Sequence, residues 1–341
     1  MIKYIRNSII LIIRLLLKST GGVLLSKKAT ENKIAQINKA VLELVAIENT
    51  QLVPGLKGIV VSKDRALQLY SLLFSYYELV SNPVALTVVF TATTDDHFNA
   101  YKEVKEEISK LMPDITFIKD EGDFKATVVK VLDDIKVKNI FFLVDDIVFI
   151  RKVDLSFASN LDVDSYILSL RHSPSLNRSY TANKNQLPPS LSEFNNEKGI
   201  FKFDWYEVGY EWSDPWSLDG HILSKAEVHV IARVSNFLAP NSFEAILKEF
   251  GSLRESRRGL CYFESKILNL PLNRVQNEAE NICGAISADY LLSQWKEGMM
   301  LDTFKLLNHI PQATHEDHVV NFKLRPIELK INKLKDTKVT L

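Results

Sequence analysis

From residue 56 onward, short apolar runs alternate with amphipathic stretches. Four runs have the length and composition of buried strands. They occupy residues 58–62, 84–92, 115–118 and 139–144. The stretches between them have the apolar spacing of helices and occupy residues 66–80, 96–111 and 124–135. Strands and helices that alternate in this order predict an α/β fold with a mostly parallel open sheet flanked by helices.

The pattern changes after residue 154. A further strand is predicted at 165–171, followed by a polar stretch rich in Ser, Asn and Pro at 172–199. A loop of this length inside a compact domain is usually functional. Aromatic-rich strands are expected at 201–212. Helical spacing returns in three later segments, at 225–236, 241–250 and 287–307. An amphipathic helix is also predicted upstream of the sheet, at 31–49.

Residues 1–20 have a separate pattern. Lys3, Arg6, Arg14 and Lys18 fall on one side of a helical wheel, and aliphatic residues fill the remainder. A basic stripe opposite a wide apolar face is typical of a helix that lies in the interface of an anionic membrane. Two alternatives stay open. The helix packs on the body of the protein, or it is a secretory signal, although Arg14 interrupts its apolar core.

The charge distribution adds to this picture. The 341 residues include 42 basic and 42 acidic side chains, for a net charge of zero. The segment before Glu31 carries +6 and the segment from Val319 carries +4, which leaves −10 on the body. Overall neutrality argues against a general nucleic-acid binder. Cys261 and Cys283 do not form a CxxC pair, which excludes a zinc finger and fits a reducing compartment.

Acidic side chains follow three of the predicted strands. These strand ends read Ser62-Lys63-Asp64-Arg65, Thr93-Thr94-Asp95-Asp96-His97 and Asp145-Asp146. Ligands of open α/β sheets bind beyond the carboxyl ends of the strands. Adjacent carboxylates there are costly unless a positive charge joins them, and Mg²⁺ or Mn²⁺ meets that need. The alternative is that the Asp-Asp pairs are helix caps or solvated turns.

Two segments resemble a known family. FFLVDDIVFI, at the end of the fourth strand, looks like the DxD-type site of GT-A-fold glycosyltransferases, and GIVVSKDRALQLYSLL resembles their opening strand and loop. The resemblance is best for bacterial family 2-like enzymes and covers roughly residues 56–155. It implies a GT-A-type, Rossmann-like sheet whose first half, 56–155, binds a nucleotide-sugar and whose second half, 156–318, binds the acceptor. A helical linker (21–55) and a basic tail (319–341) complete the organisation.

The resemblance implies roles for particular side chains. Asp64 and Arg65, with Ser62 before them, would border the nucleoside pocket. Asp95 would contact the base edge, with Asp96 as the alternative. The remaining donor contacts would come from Lys125 and Asp145.

The resemblance also implies a metal centre that holds Mn²⁺ or Mg²⁺. Asp146 would ligate the ion directly, and Asp145 would contact the ribose or a metal-bound water. The late segment ATHEDH supplies His315 and His318, of which His315 matches the family's metal-binding histidine better.

An inverting transfer needs a carboxylate base on the opposite face of the sugar. Asp219 stands before Gly220 in DPWSLDGHIL, where a turn would aim it into the cleft. Trp212 and Trp216 offer flat faces for stacking on the acceptor sugar. A plain hairpin turn with two core tryptophans is the structural alternative. The substitutes for the base are Glu244, Asp214 and Glu211.

The sequence therefore predicts a metal-dependent, inverting glycosyltransferase that uses a nucleotide-sugar donor. Its acceptor would be a glycan or a lipid-linked glycan in surface polysaccharide or glycolipid synthesis. The enzyme would be peripheral on the cytoplasmic face of the cell membrane and would bind no nucleic acid. A sugar nucleotidyltransferase is an alternative, but SKDRALQ lacks the Gly-rich loop that it needs. A non-catalytic, membrane-associated glycan- or nucleotide-binding protein is the other alternative.

Overall fold

The computed structural model describes residues 27–194, 197–254, 256–275 and 283–326. The predicted interfacial helix at 1–20 and most of the basic tail lie outside the described residues. Within them, no helix is long and apolar enough to cross a membrane.

A nine-stranded sheet forms the centre of the molecule. Its parallel part has the order β5-β1-β3-β4. These strands are β1 (Val53–Lys63), β3 (Leu86–Thr91), β4 (Thr116–Lys119) and β5 (Val137–Val144). Short strands β2 (Val80–Ser81), β6 (Ile147–Phe149), β7 (Val153–Asp154) and β15 (Ile267–Asn269) pair outside this sheet, β2 with β7 and β6 with β15. All four strands predicted from the apolar runs are present, so the α/β fold with a mostly parallel sheet is confirmed.

The second half of the chain continues the same sheet. Here β13 runs antiparallel to β5 and β8, β14 runs parallel to β8, and β12 and β11 complete the edge. The strands are β8 (Tyr166–Ser169), β11 (Ser192–Phe194), β12 (Glu197–Phe203), β13 (His221–Ser224) and β14 (Arg258–Tyr262). Further two-residue strands β9 (Arg178–Ser179) and β10 (Lys184–Asn185) pair with each other. The two predicted halves therefore share one sheet across β5 and β13.

Helices cover both faces of the sheet. They are α1 (Lys27–Asn49), α2 (Ala66–Leu79), α3 (Asp95–Leu111), α4 (Phe124–Asp134), the short α5 (Ser156–Ser159), α6 (Lys225–Val234), α7 (Pro240–Glu249) and α8 (Ala288–Lys296). One core lies between the sheet and α2, α3 and α8, and the other lies between the sheet and α1, α4, α6 and α7. Alternate residues of β5 serve the two cores: Phe141 packs in the first and Phe142 in the second.

Two predicted segments differ from the structure. The aromatic stretch 201–212 is extended only to Phe203, and a 3₁₀ turn follows at Tyr210–Ser213. The helix predicted at 287–307 ends at Lys296 because Gly298 has a φ of +81°, which favours a helix end. Beyond it, strand β16 (Met299–Leu301) pairs with β17 (Phe322–Leu324). The sequence around Met299 is compatible with a helix or a strand, and pairing with β17 selects the strand.

Candidate functional site

The carboxyl ends of β1 and β5 meet around the side chain of Asp145. Its Oδ2 accepts hydrogen bonds from Ser62 Oγ at 2.8 Å and from the Lys63 amide at 3.1 Å. Its Oδ1 accepts from Arg65 Nη1 at 2.8 Å. Since β1 and β5 are parallel neighbours, the sheet itself brings the first strand's loop to the Asp-Asp pair. The resemblance predicted this proximity of Ser62, Arg65 and Asp145.

Arg65 is held on several sides. Its backbone amide donates to the Tyr101 hydroxyl at 3.1 Å, and that hydroxyl lies 2.6 Å from Ser62 Oγ. Its guanidinium also donates to the carbonyl oxygen of Asn273. Although burial lowers the pKa of Arg65, the adjacent carboxylates of Asp145 and Asp146 raise it, and the net shift is upward. Arg65 is therefore a fixed cation at the end of β1.

Asp64 joins the first strand to the third. Its φ of +52° turns the backbone sharply after β1. One carboxylate oxygen accepts from the Thr93 amide and the other from Thr93 Oγ1, both at 2.8 Å. Both oxygens are thus engaged within the protein. These contacts give Asp64 a structural role between β1 and β3, and its place beside a nucleoside pocket stays a prediction.

Asp146 is less completely satisfied than Asp145. Asn269 Nδ2 donates to its Oδ1 at 3.2 Å, and Arg65 Nη1 lies 3.7 Å from its Oδ2. Burial raises the pKa of Asp146 to about 7; Arg65 opposes the shift, whereas Asp145 and Asp219 add to it. A buried carboxyl with this pKa gains from a further cation, because a nearby positive charge favours the ionised form.

Asp219 and His315 form the opposite side of the site. Arg171 Nη1 donates to Asp219 Oδ2 at 2.7 Å, and His315 Nε2 lies 3.8 Å from the same oxygen. Gly220, with a φ of +74°, donates its amide to Phe142 O at 2.8 Å, which fixes the turn beside Asp219. Burial lowers the pKa of His315, so its imidazole is neutral at pH 7 and a ring nitrogen can coordinate a metal ion.

Asn269 links the two sides. Its side chain bonds Asp146, while its backbone amide donates to Thr314 O and its carbonyl accepts from the Glu316 amide, both at 3.2 Å. Asn269 thus fixes the segment that carries His315 beside Asp146. The structure brings Asp145, Asp146, Asp219 and His315 together at one edge of the sheet, and their roles stay predictions.

Several predicted site residues lie elsewhere or have other contacts. Asp95 is exposed in the first turn of α3, where Thr94 provides the cap. Lys125 is half-buried on α4, and its Nζ lies 3.3 Å from Asn236 Oδ1. The stacking prediction for Trp212 and Trp216 is wrong, because their side chains are 0% and 2% exposed and pack in the second core. The alternative interpretation, two core tryptophans, is correct.

The substitutes for the base have distinct environments. Glu244 contacts Lys248 at 2.8 Å, and burial, with help from Asp214 and Asp219, raises the pKa of Glu244 to about 7. Asp214 also pairs with Lys248, at 2.9 Å. Glu211 is buried and accepts from Ser179 Oγ at 3.0 Å and from Thr314 Oγ1 at 2.8 Å. Through its hydrogen bond with Thr314, Glu211 fixes the position of the residue before His315.

The sequence reasoning missed four polar residues of the site. Arg171 is the last residue of the strand predicted at 165–171, so the same argument about strand ends could have found it. Asn269, Asn273 and Tyr101 carry no local signal, because only the tertiary fold brings them to the Asp-Asp pair.

No family model matches the chain. A search of curated proteins finds the bifunctional glycosyltransferase pgtA of Dictyostelium discoideum, 25% identical over 181 residues. The chain is similar to a glycosyltransferase. The match covers 48% of this chain and only 23% of the relative, so the chain spans about a quarter of that protein's length. The similarity confirms the family resemblance predicted from the sequence.

Solved structures give weak matches of the same kind. S. aureus TarS 1–349 in complex with UDP-GlcNAc has a TM-score of 0.40 and 12% identity, covering 67% of this chain and 60% of that chain. The mannosyltransferase PcManGT of Pyrobaculum calidifontis, in complex with GDP-Man and Mn²⁺, has a TM-score of 0.27 and 15% identity, covering 40% and 45%. Structural similarity at these TM-scores does not support a conclusion about activity.

Proposed function

We propose that the chain is a glycosyltransferase that transfers a sugar from a nucleoside-diphosphate sugar, with the help of a divalent cation. The observation that carries the proposal is the meeting of Asp146, Asp219 and His315 at the carboxyl ends of the parallel strands, beside the fixed cation Arg65. This is the edge at which α/β sheets bind ligands. The similarity to a glycosyltransferase supports the same reading.

The residues present fit Mn²⁺ or Mg²⁺. Asp146 has a raised pKa and one oxygen with only a distant partner, and His315 adds a neutral imidazole nearby. Asp145 differs, because three donors already engage its two oxygens. We therefore assign Asp146 and His315 as the ligands and Asp145 as the residue that orients Arg65. A bound cation would neutralise charge on the diphosphate as it leaves.

The protein's own cations would act on the same charge. The guanidinium of Arg65 lies beside both carboxylates of the Asp-Asp pair, where it would also contact a phosphate oxygen of the donor. Asp219, oriented by Arg171, is the proposed base that accepts the proton of the acceptor hydroxyl. With this base on the sugar face opposite the leaving diphosphate, the transfer would invert the anomeric configuration.

Glu244 is the second candidate for the base, and a specific observation favours it. Its pKa of about 7 suits proton transfer near neutral pH, whereas Asp219 is held in an ion pair with Arg171. The two can be separated with Asp219→Asn and Glu244→Gln. Loss of kcat by at least about 100-fold in one variant only, without a matching rise in KM, would identify the base.

The donor and metal are tested by a hydrolysis screen across nucleotide sugars with Mn²⁺, Mg²⁺ or EDTA. We expect turnover of one donor that EDTA abolishes and that Asp146→Asn lowers by at least about 100-fold. Asp134→Asn, at the exposed end of α4, is the matched control and keeps full activity. Turnover that resists both EDTA and Asp146→Asn would refute the metal-dependent mechanism. Nucleotide binding without any turnover would favour the non-catalytic alternative.

The acceptor and location are proposals that rest on residues 1–20. Their basic stripe and apolar face suit an anionic membrane, where lipid-linked acceptors reside. We expect the full chain to float with anionic vesicles and the chain lacking residues 1–20 to remain behind. Equal flotation of the two would contradict a membrane role for this segment, and with it the peripheral location at the inner face of the membrane.

A further inference from the structure

A second group of metal-binding side chains lies outside the site described above. His309 Nε2 is 2.6 Å and His318 Nε2 is 3.1 Å from the same oxygen, Oε2 of Glu316. Within the part of the chain that the structure describes, this is the one group of three or more His, Cys, Asp and Glu residues whose ligand atoms all lie within 4.8 Å of one another. The proposed catalytic ligands do not form such a group.

The segment 309–318 contributes side chains both to this cluster and to the proposed catalytic site. His315 Nε2 approaches Asp219, at 3.8 Å, whereas its chain neighbour Glu316 turns to His309 and His318. The cluster therefore joins the two ends of residues 309–318. Between those ends lie Thr314, which bonds Glu211, and His315.

The protein holds the cluster in place without using its ligand atoms. Glu316 Oε1 accepts from the amides of Gln312 at 2.6 Å and Ala313 at 3.3 Å, which leaves Oε2 for the histidines. The buried guanidinium of Arg151 donates to the carbonyl oxygens of Asn308, at 2.8 Å, and His309. Contacts of this kind orient metal ligands in proteins and raise affinity.

The geometry is close to that of a bound zinc ion. Two ligands at about 2.1 Å from a tetrahedral zinc lie about 3.4 Å apart. The observed N–O separations of 2.6 and 3.1 Å would have to widen by less than about 1 Å. The two imidazole rings are nearly perpendicular, with centroids 4.8 Å apart, so they do not stack against each other and both edges face the carboxylate.

The cluster is also accessible. The side chains of His309, Glu316 and His318 are 31%, 17% and 24% exposed, so an ion can enter and retain a water as its fourth ligand. Two imidazoles and one carboxylate favour a borderline divalent ion over Mg²⁺ or Ca²⁺, which prefer oxygen.

We propose that His309, Glu316 and His318 bind Zn²⁺ and that this ion closes residues 309–318 into a fixed loop. The site is distinct from the Mn²⁺ or Mg²⁺ site of the proposed function. Its role is to position the segment that carries Thr314 and His315, not to contact the donor.

The test measures Zn²⁺ binding in the full chain carrying Asp146→Asn, which disables the other site. Isothermal titration with zinc chloride should show one Zn²⁺ per chain. Adding His318→Gln or Glu316→Gln should weaken binding by at least about 100-fold, because loss of a ligand exceeds loss of an outer contact. Glu121→Gln is the control, because the exposed carboxylate of Glu121 pairs with Lys119, and adding it should leave Zn²⁺ binding unchanged.

Metal-free thermal unfolding of each variant serves as the folding control. If Glu316→Gln does not fold, His318→Gln carries the test alone, since it leaves the contacts of Glu316 Oε1 intact. Absence of Zn²⁺ binding to the Asp146→Asn chain, or equal affinity in the His318→Gln variant, would overturn the proposal. Because no donor or turnover enters this measurement, its result is independent of the proposed glycosyl transfer.

Discussion

The raised pKa of Asp146 makes a prediction about stability that needs no substrate. In the metal-free protein the pKa of Asp146 rises from 3.8 to about 7, chiefly through burial. The folded state therefore binds more protons than the unfolded state between about pH 4 and pH 7, and the free energy of unfolding falls as the pH rises through that window. Above about pH 7 the full penalty of the buried charge is present.

Replacing Asp146 with Asn removes this penalty. The rise in the pKa of Asp146 from 3.8 to about 7 corresponds to about 4 kcal/mol. Since the side chain is 15% exposed, solvent screens part of this penalty, and we expect a smaller gain, about 1–3 kcal/mol at pH 8. At pH 4.5 Asp146 is protonated in the folded state, so the stability difference should be much smaller than at pH 8.

The assay is urea unfolding of both proteins in EDTA at pH 4.5 and pH 8. A stability difference that is the same at both pH values, or a variant that is less stable than the wild type at pH 8, would refute the argument. Mn²⁺ supplies the sharper comparison. It should stabilise the wild type at pH 8 and do so less at pH 5.5, where protons compete for Asp146.

Three further predictions concern the fold and the fixed cations. Gly58→Ala should lower the free energy of unfolding by about 1–3 kcal/mol in urea, because a Cβ would overlap the side chains of Leu86 and Phe141. Glu227→Gln should lower it by about 3–5 kcal/mol, since it leaves the buried Arg257 unpaired. Arg65→Gln should lower it by about 3 kcal/mol in EDTA, and calorimetry should show Mn²⁺ restoring part of the loss.

The parallel part of the sheet was predictable because its strands are buried on both faces. Runs such as that of β5 are continuously apolar, and alternate residues serve two different cores. The same physics places the strand-end residues, since parallel neighbours end at one edge. Ser62, Arg65 and Asp145 therefore met as the sequence implied, although no signal in the sequence specified the bonds between them.

The second half was harder to predict for a physical reason. Trp212 and Trp216 lie in a polar, aromatic segment whose pattern does not say which faces are buried, and the structure places both in the core. Met299 and its neighbours form a strand only because residues 322–324 return to pair with them. Contacts between segments far apart in the chain decide such cases, as they do for Asn269 and Asp146.

The charge balance of the site explains why a divalent cation is the simplest completion of it. Carboxylates outnumber basic side chains around the site: Arg65, Arg171 and Lys248 face Asp145, Asp146, Glu211, Asp214, Asp219 and Glu244. With every carboxylate ionised, the negative charges outnumber the positive charges by three, which a diphosphate donor would only increase. The protein relieves part of this excess by raising the pKa of Asp146. A bound divalent ion would offset most of this excess, return Asp146 to its ionised form and reduce the repulsion that the donor would otherwise meet.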